Sequence, residues 1–179
     1  MNKEEARIIA LSIRKQKDHK AISDKVVNEI ISKGLLDNYN HIGIYYPIKN
    51  EIDITPLVKH YSNKCFYLPK TKDEISFSSY KDGDMLASGP FNTKEPTTKD
   101  VNRDNIECFI IPCVAISNNK RIGYGKGYYD RYLANYKGLV IGVTYEDTMF
   151  DCEMDDHDKS LDIVLVGWFY DKCHFINGW

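Results

Sequence analysis

Three glycines at alternate positions, Gly123, Gly125 and Gly127, stand in the segment Arg121-Ile-Gly-Tyr-Gly-Lys-Gly-Tyr-Tyr-Asp-Arg-Tyr-Leu133, and no other stretch restricts this chain as much. Alternating glycine frees the backbone to take positive φ and lets it approach a ligand with no Cβ in the way. Upstream, the run from Cys108 to Pro112 is apolar, short and bounded, as a buried strand is. Downstream, Tyr128, Tyr132, Leu133 and Tyr136 recur at helical spacing. The order is therefore strand, loop, glycine-rich turn, helix. Backbone N–H groups of such a turn and of the helix start converge on one point, where the helix dipole favours an anion. Arg121, Lys126 and Arg131 add positive charge, while Asp130 adds a carboxylate. A carboxylate helps among phosphate-binding groups only with a cation between them, which suggests Mg²⁺. The local chemistry is that of a site for a metal-bound polyphosphate; the plainer alternative is a tight turn followed by core tyrosines.

Neither generic nucleotide motif fits. No Gly-Lys-Ser/Thr closes the segment as in a Walker A loop, and position 128 is Tyr where a dinucleotide fingerprint has Gly. What residues 121 to 130 do resemble is the Arg-Leu/Ile-Gly-x-Gly-Lys/Gly-Gly-Tyr-Tyr-Asp signature of the 5-formyltetrahydrofolate cyclo-ligase family, the methenyltetrahydrofolate synthetases, which they match throughout. The order of the other segments is similar to the family's as well, over nearly all of the chain.

Composition narrows the class. With 179 residues, 42% of them hydrophobic and 28% charged, the chain is an ordinary soluble globule with room for a real core. We expect one domain over 1–179. A net charge of −2 lacks the basic excess of a nucleic-acid binder. No apolar stretch has the length of a membrane span, and the charged N-terminus has no signal-peptide core. The five cysteines include no Cys-x-x-Cys pair; Cys65 and Cys108 lie in strand-like runs, where buried free thiols are expected. A reducing cytoplasm follows.

Taken in order, Asn2 and Glu5 read as a helix N-cap and its N3 acid, with Ile9 and Ile13 as one buried face. A second helix carries Ile22, Val26 and Ile30, and Gly34 reads as its C′ residue. Lys3, Arg7 and Arg14 form a basic face that ordinarily would be solvated. His41 to Tyr46 is a β-rich run stopped by Pro47. After a polar loop with Glu51 and Asp53, Thr55-Pro56 reads as N-cap and N1 of a short helix. Residues 65 to 69, 75 to 80 and 138 to 143 read as strands, and 168 to 176 as a terminal strand or hairpin. The run Asp155-Asp156-His157-Asp158 looks like a metal cluster, but adjacent residues are not expected to face one ion together. Strands alternating with helices indicate an α/β layered domain.

The resemblance implies more than these patterns do. It implies a three-layer αβα sandwich with a mixed, mainly parallel sheet and an antiparallel or mixed minority of strands around residues 65 to 91. It implies conversion of 5-formyltetrahydrofolate, with or without a polyglutamate tail, and ATP to 5,10-methenyltetrahydrofolate, ADP and phosphate. It assigns ATP contacts to Lys3 and Arg7, which match a Lys-x-x-x-Arg element, and to Arg121, Ile122, Gly123, Tyr124, Gly125, Lys126, Gly127, Tyr128 and Tyr129. It assigns the folate side to Tyr46, Glu51 and the segment from Tyr124 to Tyr128, and a catalytic part to Lys126 and Glu51. It assigns Mg²⁺ to Asp130 and Asp162. Tyr124 stands where some family members carry Arg, and Asn92 and Thr93 depart from the family's Phe-Gly-Ile-x-Glu-Pro element. The protein is expected to act as a monomer. Two rival functions share the architecture: an α/β enzyme of sugar-phosphate or acyl-CoA type, and a folate- or nucleotide-binding protein without turnover.

Overall fold

In the computed structural model, which describes residues 1–167 and the backbone of 174–177, helices α1 (Lys3–Arg14), α2 (His19–Ser32), α3 (Pro56–His60) and α4 (Tyr128–Tyr132) alternate with strands β1 (His41–Gly43), β2 (Cys65–Thr71), β3 (Ile75–Tyr80), β4 (Leu86–Ser88), β5 (Lys94–Pro96), β6 (Cys108–Pro112), β7 (Ala115–Ser117), β8 (Lys120–Ile122), β9 (Leu139–Tyr145), β10 (Ile163–Gly167) and β11 (His174–Asn177). Seven strands form one sheet in the order β11-β10-β9-β6-β1-β2-β3. β10, β9, β6, β1 and β2 run parallel, flanked by antiparallel β11 and β3. β4–β5 and β7–β8 are separate antiparallel hairpins. This is the expected α/β class with a mixed, mainly parallel sheet. Around residues 65 to 91 the pairing is mixed, as expected: β2 runs parallel to β1 and antiparallel to β3, and β4 pairs antiparallel with β5. Of the terminal element expected over 168 to 176, 174–177 is strand, and 168–173, Cys173 included, lie outside the described residues.

A strand buried on both faces is apolar along its whole length, and β6 is buried at every position. Its side chains divide by parity. Cys108 and Ile110 join a cluster with Ile22, Val26 and Ile30 of α2 and Leu57 of α3. Phe109 and Ile111 join a second cluster with Tyr129 of α4 and Leu133 just beyond it. Helices therefore cover both faces of the sheet.

α1 starts as its sequence requires, with a capping box between Asn2 and Glu5. Its buried face differs from the expected one. Ala6, Ala10 and Arg14 are buried, whereas Ile9 is 39% exposed and Ile13 half-buried. The four-residue period holds but its phase is shifted, because two alanines let the helix lie close against Val114, Ala115 and Ile122 of the β7–β8 hairpin. α2 ends at Gly34 (φ +61), with Leu35 N–H donating to Ile30 O and Gly34 N–H to Ile31 O. Thr55 makes no side-chain cap; Asp53 does that work, accepting from Thr55 N–H and its hydroxyl. β1 stops at Gly43 although the β-rich run reaches Tyr46. Ile44 N–H still donates to Tyr67 O before the chain turns out of the sheet ahead of Pro47. Cys108 is buried as expected, but Cys65 is exposed at the first position of β2.

The strand order places the site. From β1 the chain moves outward through β2 to β3, then returns to β6 on the other side of β1 and continues to β9 and β10. The connections after β1 and β6 therefore leave in opposite directions, and such a switch point opens a crevice beyond the carboxyl ends of the strands. Gly43 and Phe109 pair across the β1–β6 seam, where a Cβ on Gly43 would stand 2.3 Å from the Phe109 ring. Gly43→Ala is expected to cost ~1–3 kcal/mol through overpacking, read as a lowered denaturation midpoint at unchanged slope.

Candidate functional site

Two cavities meet in this crevice. The first, of about 300 Å³, is lined by Lys3 and Arg7 from α1, Arg121 and Ile122 from β8, Gly123, Gly125, Lys126 and Gly127 from the following turn, Asp130 and Arg131 from α4, and His157 and Asp158. The second, of about 370 Å³, is walled by Tyr45, Tyr46, Tyr124, Tyr128 and Tyr129 with Ile8, Leu11 and Phe91, and holds the carboxylate of Glu51. Arg7, Arg121, Lys126 and Gly127 line both. The first is polar and rich in cations. The second is aromatic with one buried acid.

The glycine turn is built from its ends. Arg121 is buried, donates from Nε to Pro112 O at 2.8 Å at the end of β6, and lays its guanidinium over the Tyr129 ring at 4.6 Å. Gly123 is needed for space, since a Cβ there would meet Arg121 Nη1 at 2.3 Å. Gly125 (φ +94) and Gly127 (φ +68) supply the expected left-handed conformations. Arg7 Nε donates to Gly123 O at 2.7 Å, tying α1 to the turn. α4 has only five residues, so its dipole adds little and the side-chain cations carry most of the positive field. Lys126 is exposed on the rim of both cavities.

Acidic groups line the same cavity. Asp130 Oδ1 accepts from Lys159 N–H at 2.9 Å. Asp158 is buried and accepts from Lys3 Nζ at 2.7 Å and from Asp155 N–H at 2.6 Å. Burial works against the Lys3 ammonium, but hydrogen bonds to Asp155 and Asp158 hold its pKa above the ordinary lysine value. Ligand atoms of Asp155, His157 and Asp158 lie within 4.8 Å of one another, so the bend of this loop does turn near neighbours toward one point. Asp162 is a correction. It is exposed, lines neither cavity, and uses Oδ2 to accept from Val140 N–H at the start of β9, where its charge bears on Cys108 at the start of β6. That is the amino-terminal edge of the parallel strands, opposite the crevice. Asp158 and Asp162 precede the same strand four residues apart, and spacing alone did not separate them.

On the aromatic side, Glu51 is 6% exposed. Its Oε2 accepts from Ile48 N–H at 3.0 Å and its Oε1 from Tyr124 Oη at 3.2 Å. Burial raises its pKa, opposed by the charge of Arg14, the Ile48 and Tyr124 hydrogen bonds and the charge of Arg121. The same burial pushes Tyr124 up to about 12. Tyr46 and Tyr128 also line this cavity. The Gly89–Thr93 loop, whose shape the Asn92 and Thr93 departures left open, turns through positive φ at Phe91 (+59) and Asn92 (+60) and puts Phe91 on the cavity wall.

The model of the 5-formyltetrahydrofolate cyclo-ligase family matches residues 3–167. The chain belongs to that family. A 5-formyltetrahydrofolate cyclo-ligase of Mycoplasma genitalium is 32% identical over 149 residues, 80% of this chain and 81% of that protein. Among solved structures, the 5,10-methenyltetrahydrofolate synthetase of Aquifex aeolicus superposes with a TM-score of 0.83 at 31% identity, covering 97% of this chain and 92% of that one. The 5,10-methenyltetrahydrofolate synthetase of Mycoplasma pneumoniae gives 0.76 at 26% identity, covering 92% and 98%. The cyclo-ligase signature noted in the sequence is thus the segment that lines both cavities.

Gly127 tests the turn. An alanine there meets both the positive φ and Arg131 Nη1 at 2.8 Å. Gly127→Ala is expected to lower stability by ~1–2 kcal/mol and to weaken ligand binding in both cavities, measured by denaturation and calorimetry.

Proposed function

We propose that the protein closes the ring of 5-formyltetrahydrofolate at the expense of ATP, giving 5,10-methenyltetrahydrofolate, ADP and phosphate. The observation that supports this reading is the pairing of the cavities: a cationic, glycine-lined one for the triphosphate, and an aromatic one with a buried acid for the pterin, meeting at Lys126 and Gly127. A phosphate-only site would leave the aromatic cavity without a role, which sets aside a sugar-phosphate enzyme.

The formyl oxygen is a poor leaving group, so it must be phosphorylated before the neighbouring nitrogen closes the ring. The oxygen attacks the γ-phosphorus and ADP departs. The nitrogen then attacks the formyl carbon and gives up its proton, and phosphate leaves carrying the former formyl oxygen and that proton. Such transfer depends on positioning and charge stabilisation. Lys3, Arg7 and Arg121 hold the phosphates together with the amides of the Gly123–Gly127 turn. Lys126, at the border, faces the transferring group. Tyr46, Tyr124 and Tyr128 pack against the pterin, and Glu51 accepts hydrogen bonds from its N–H groups. No Ser, Cys or His nucleophile is required, because phosphate passes directly to the substrate.

Asp130 and Asp158 present hard oxygen donors to the phosphate cavity, a set that fits Mg²⁺, which takes few carboxylates beside phosphate oxygens and water. Bound there, the ion would offset charge on the polyphosphate. We take the protein to act as a monomer in a reducing cytoplasm, on one domain over 1–179. Among the described residues no helix is long and apolar enough to cross a membrane, and Cys65, Cys108, Cys113 and Cys152 are free.

Purified protein mixed with 5-formyltetrahydrofolate is expected to develop near-ultraviolet methenyl absorbance only when ATP and a divalent cation are both present. Product formed without ATP would overturn the reading. For the metal, Asp130→Asn and Asp158→Asn should each weaken Mn²⁺ binding to the ATP-loaded protein by about tenfold or more, a change of ~1.4 kcal/mol. Asp162→Asn should leave it unchanged, with paramagnetic resonance of free Mn²⁺ as the measurement.

A further inference from the structure

We propose that Arg14 is a positioning residue for the folate-side carboxylate, holding Glu51 charged and oriented through the Tyr124 hydroxyl. Arg14 is the last residue of α1, yet it is 2% exposed and lines neither cavity, so it reaches a ligand only through other groups. Its Nη2 donates to Cys113 O at 2.6 Å, just past the end of β6, and its Nη1 donates to Tyr124 Oη at 3.0 Å. Tyr124 Oη stands 3.2 Å from Glu51 Oε1. A guanidinium only donates and an ionised carboxylate only accepts. The single proton of the hydroxyl therefore points to Glu51 while its lone pair takes the Arg14 N–H. One phenol joins a buried cation to a buried anion, and its orientation is fixed by both.

The surroundings leave this compensation to few groups. Around Glu51 stand Arg121 from β8, Tyr45 beyond β1, Tyr129 from α4, Tyr145 from β9, Cys113 after β6, Asp53 in its own loop, and Lys49, whose Nζ lies 4.8 Å from the Tyr124 ring centre. The phenols and thiol are neutral, pushed up by burial, and Asp53 adds negative charge. Arg121 is already engaged with Pro112 O and the Tyr129 ring. Arg14 is the largest opposing influence on Glu51 after burial itself. A lone carboxylate buried among phenols takes up a proton and loses its capacity to accept two hydrogen bonds. Arg14 prevents that, and Tyr124 serves the cavity both as ring wall and as hydroxyl link. The part concerning the ligand rests on the folate reading; the charge relation does not.

Glu51 titrates above the ordinary carboxylate range, so its charge is lost as pH falls through that raised value. Removing Arg14 raises the midpoint further, and charge-dependent binding then fails at a higher pH. The test follows the ¹³C carboxyl resonance of Glu51 against pH in ligand-free protein labelled at glutamate, assigned by its absence in Glu51→Gln. Arg14→Met should raise the midpoint by about one pH unit or more, the scale of a neighbouring opposite charge. Arg14→Lys should lie between Arg14→Met and the unmodified protein. Tyr124→Phe, which keeps Arg14 in place, should raise the midpoint by a smaller amount and decides the matter if Arg14→Met does not fold. An unmoved midpoint in Tyr124→Phe, or in a folded Arg14→Met, overturns the proposal. Calorimetry of 5-formyltetrahydrofolate binding against pH forms a second arm. The acid limb for Arg14→Lys should move with the carboxyl midpoint, whereas absence of binding by the unmodified protein counts against the folate reading alone.

Discussion

The glycine-rich turn stands where it does because Arg121 donates Nε to the Pro112 carbonyl. That bond fastens the outgoing edge of the β7–β8 hairpin to the end of β6, one of the two strands that flank the switch point. Everything positioned downstream depends on it: the room at Gly123 for the guanidinium, the left-handed entry at Gly127 into α4, and Tyr129 stacked beneath the cation. A buried arginine is costly unless its charge and hydrogen bonds find partners. Here one residue meets that demand and also divides a phosphate-sized cavity from an aromatic one.

The two cavities differ in how they manage charge. On the cationic side Arg121 is buried, Lys3 and Arg7 are half-buried, and Lys126 and Arg131 are exposed. Lys3 pairs with Asp155, which is open to solvent, and with Asp158, which is not. On the aromatic side charge is enclosed, and Glu51 keeps company with phenols whose ionisation burial suppresses. Specific hydrogen-bond geometry matters more there than net charge, because solvent cannot repair a misplaced donor.

Much of this was legible in the sequence, and the parts that were not have physical reasons. The Arg121 to Asp130 signature, the Asn2–Glu5 box and Gly34 are local devices, whose chemistry is complete within a few residues. The face of α1 was misread because isoleucines announce burial more loudly than alanines, yet close approach to a hairpin selects the smaller side chain. Arg14 looked like one of three surface cations, since nothing local shows that Cys113 O and Tyr124 await it across about a hundred residues. Asp158 and Asp162 share composition and neighbourhood, and only the strand register sends them to opposite edges of the sheet. Cys65 opens a buried strand but lies on its exposed first position.

The polar partners of α1 come from far along the chain: Cys113 O for Arg14, Gly123 O for Arg7, Asp155 and Asp158 for Lys3. During synthesis this helix has no seat until β6 and the glycine turn have emerged, and no full complement of partners until the loop before β10 has left the ribosome. The ligand crevice is accordingly among the last features to close. A nascent chain that stalls between Gly123 and Asp155 can seat Arg14 and Arg7 but leaves the Lys3 ammonium in solvent, so the cavity that Lys3 lines stays unfinished until that loop arrives.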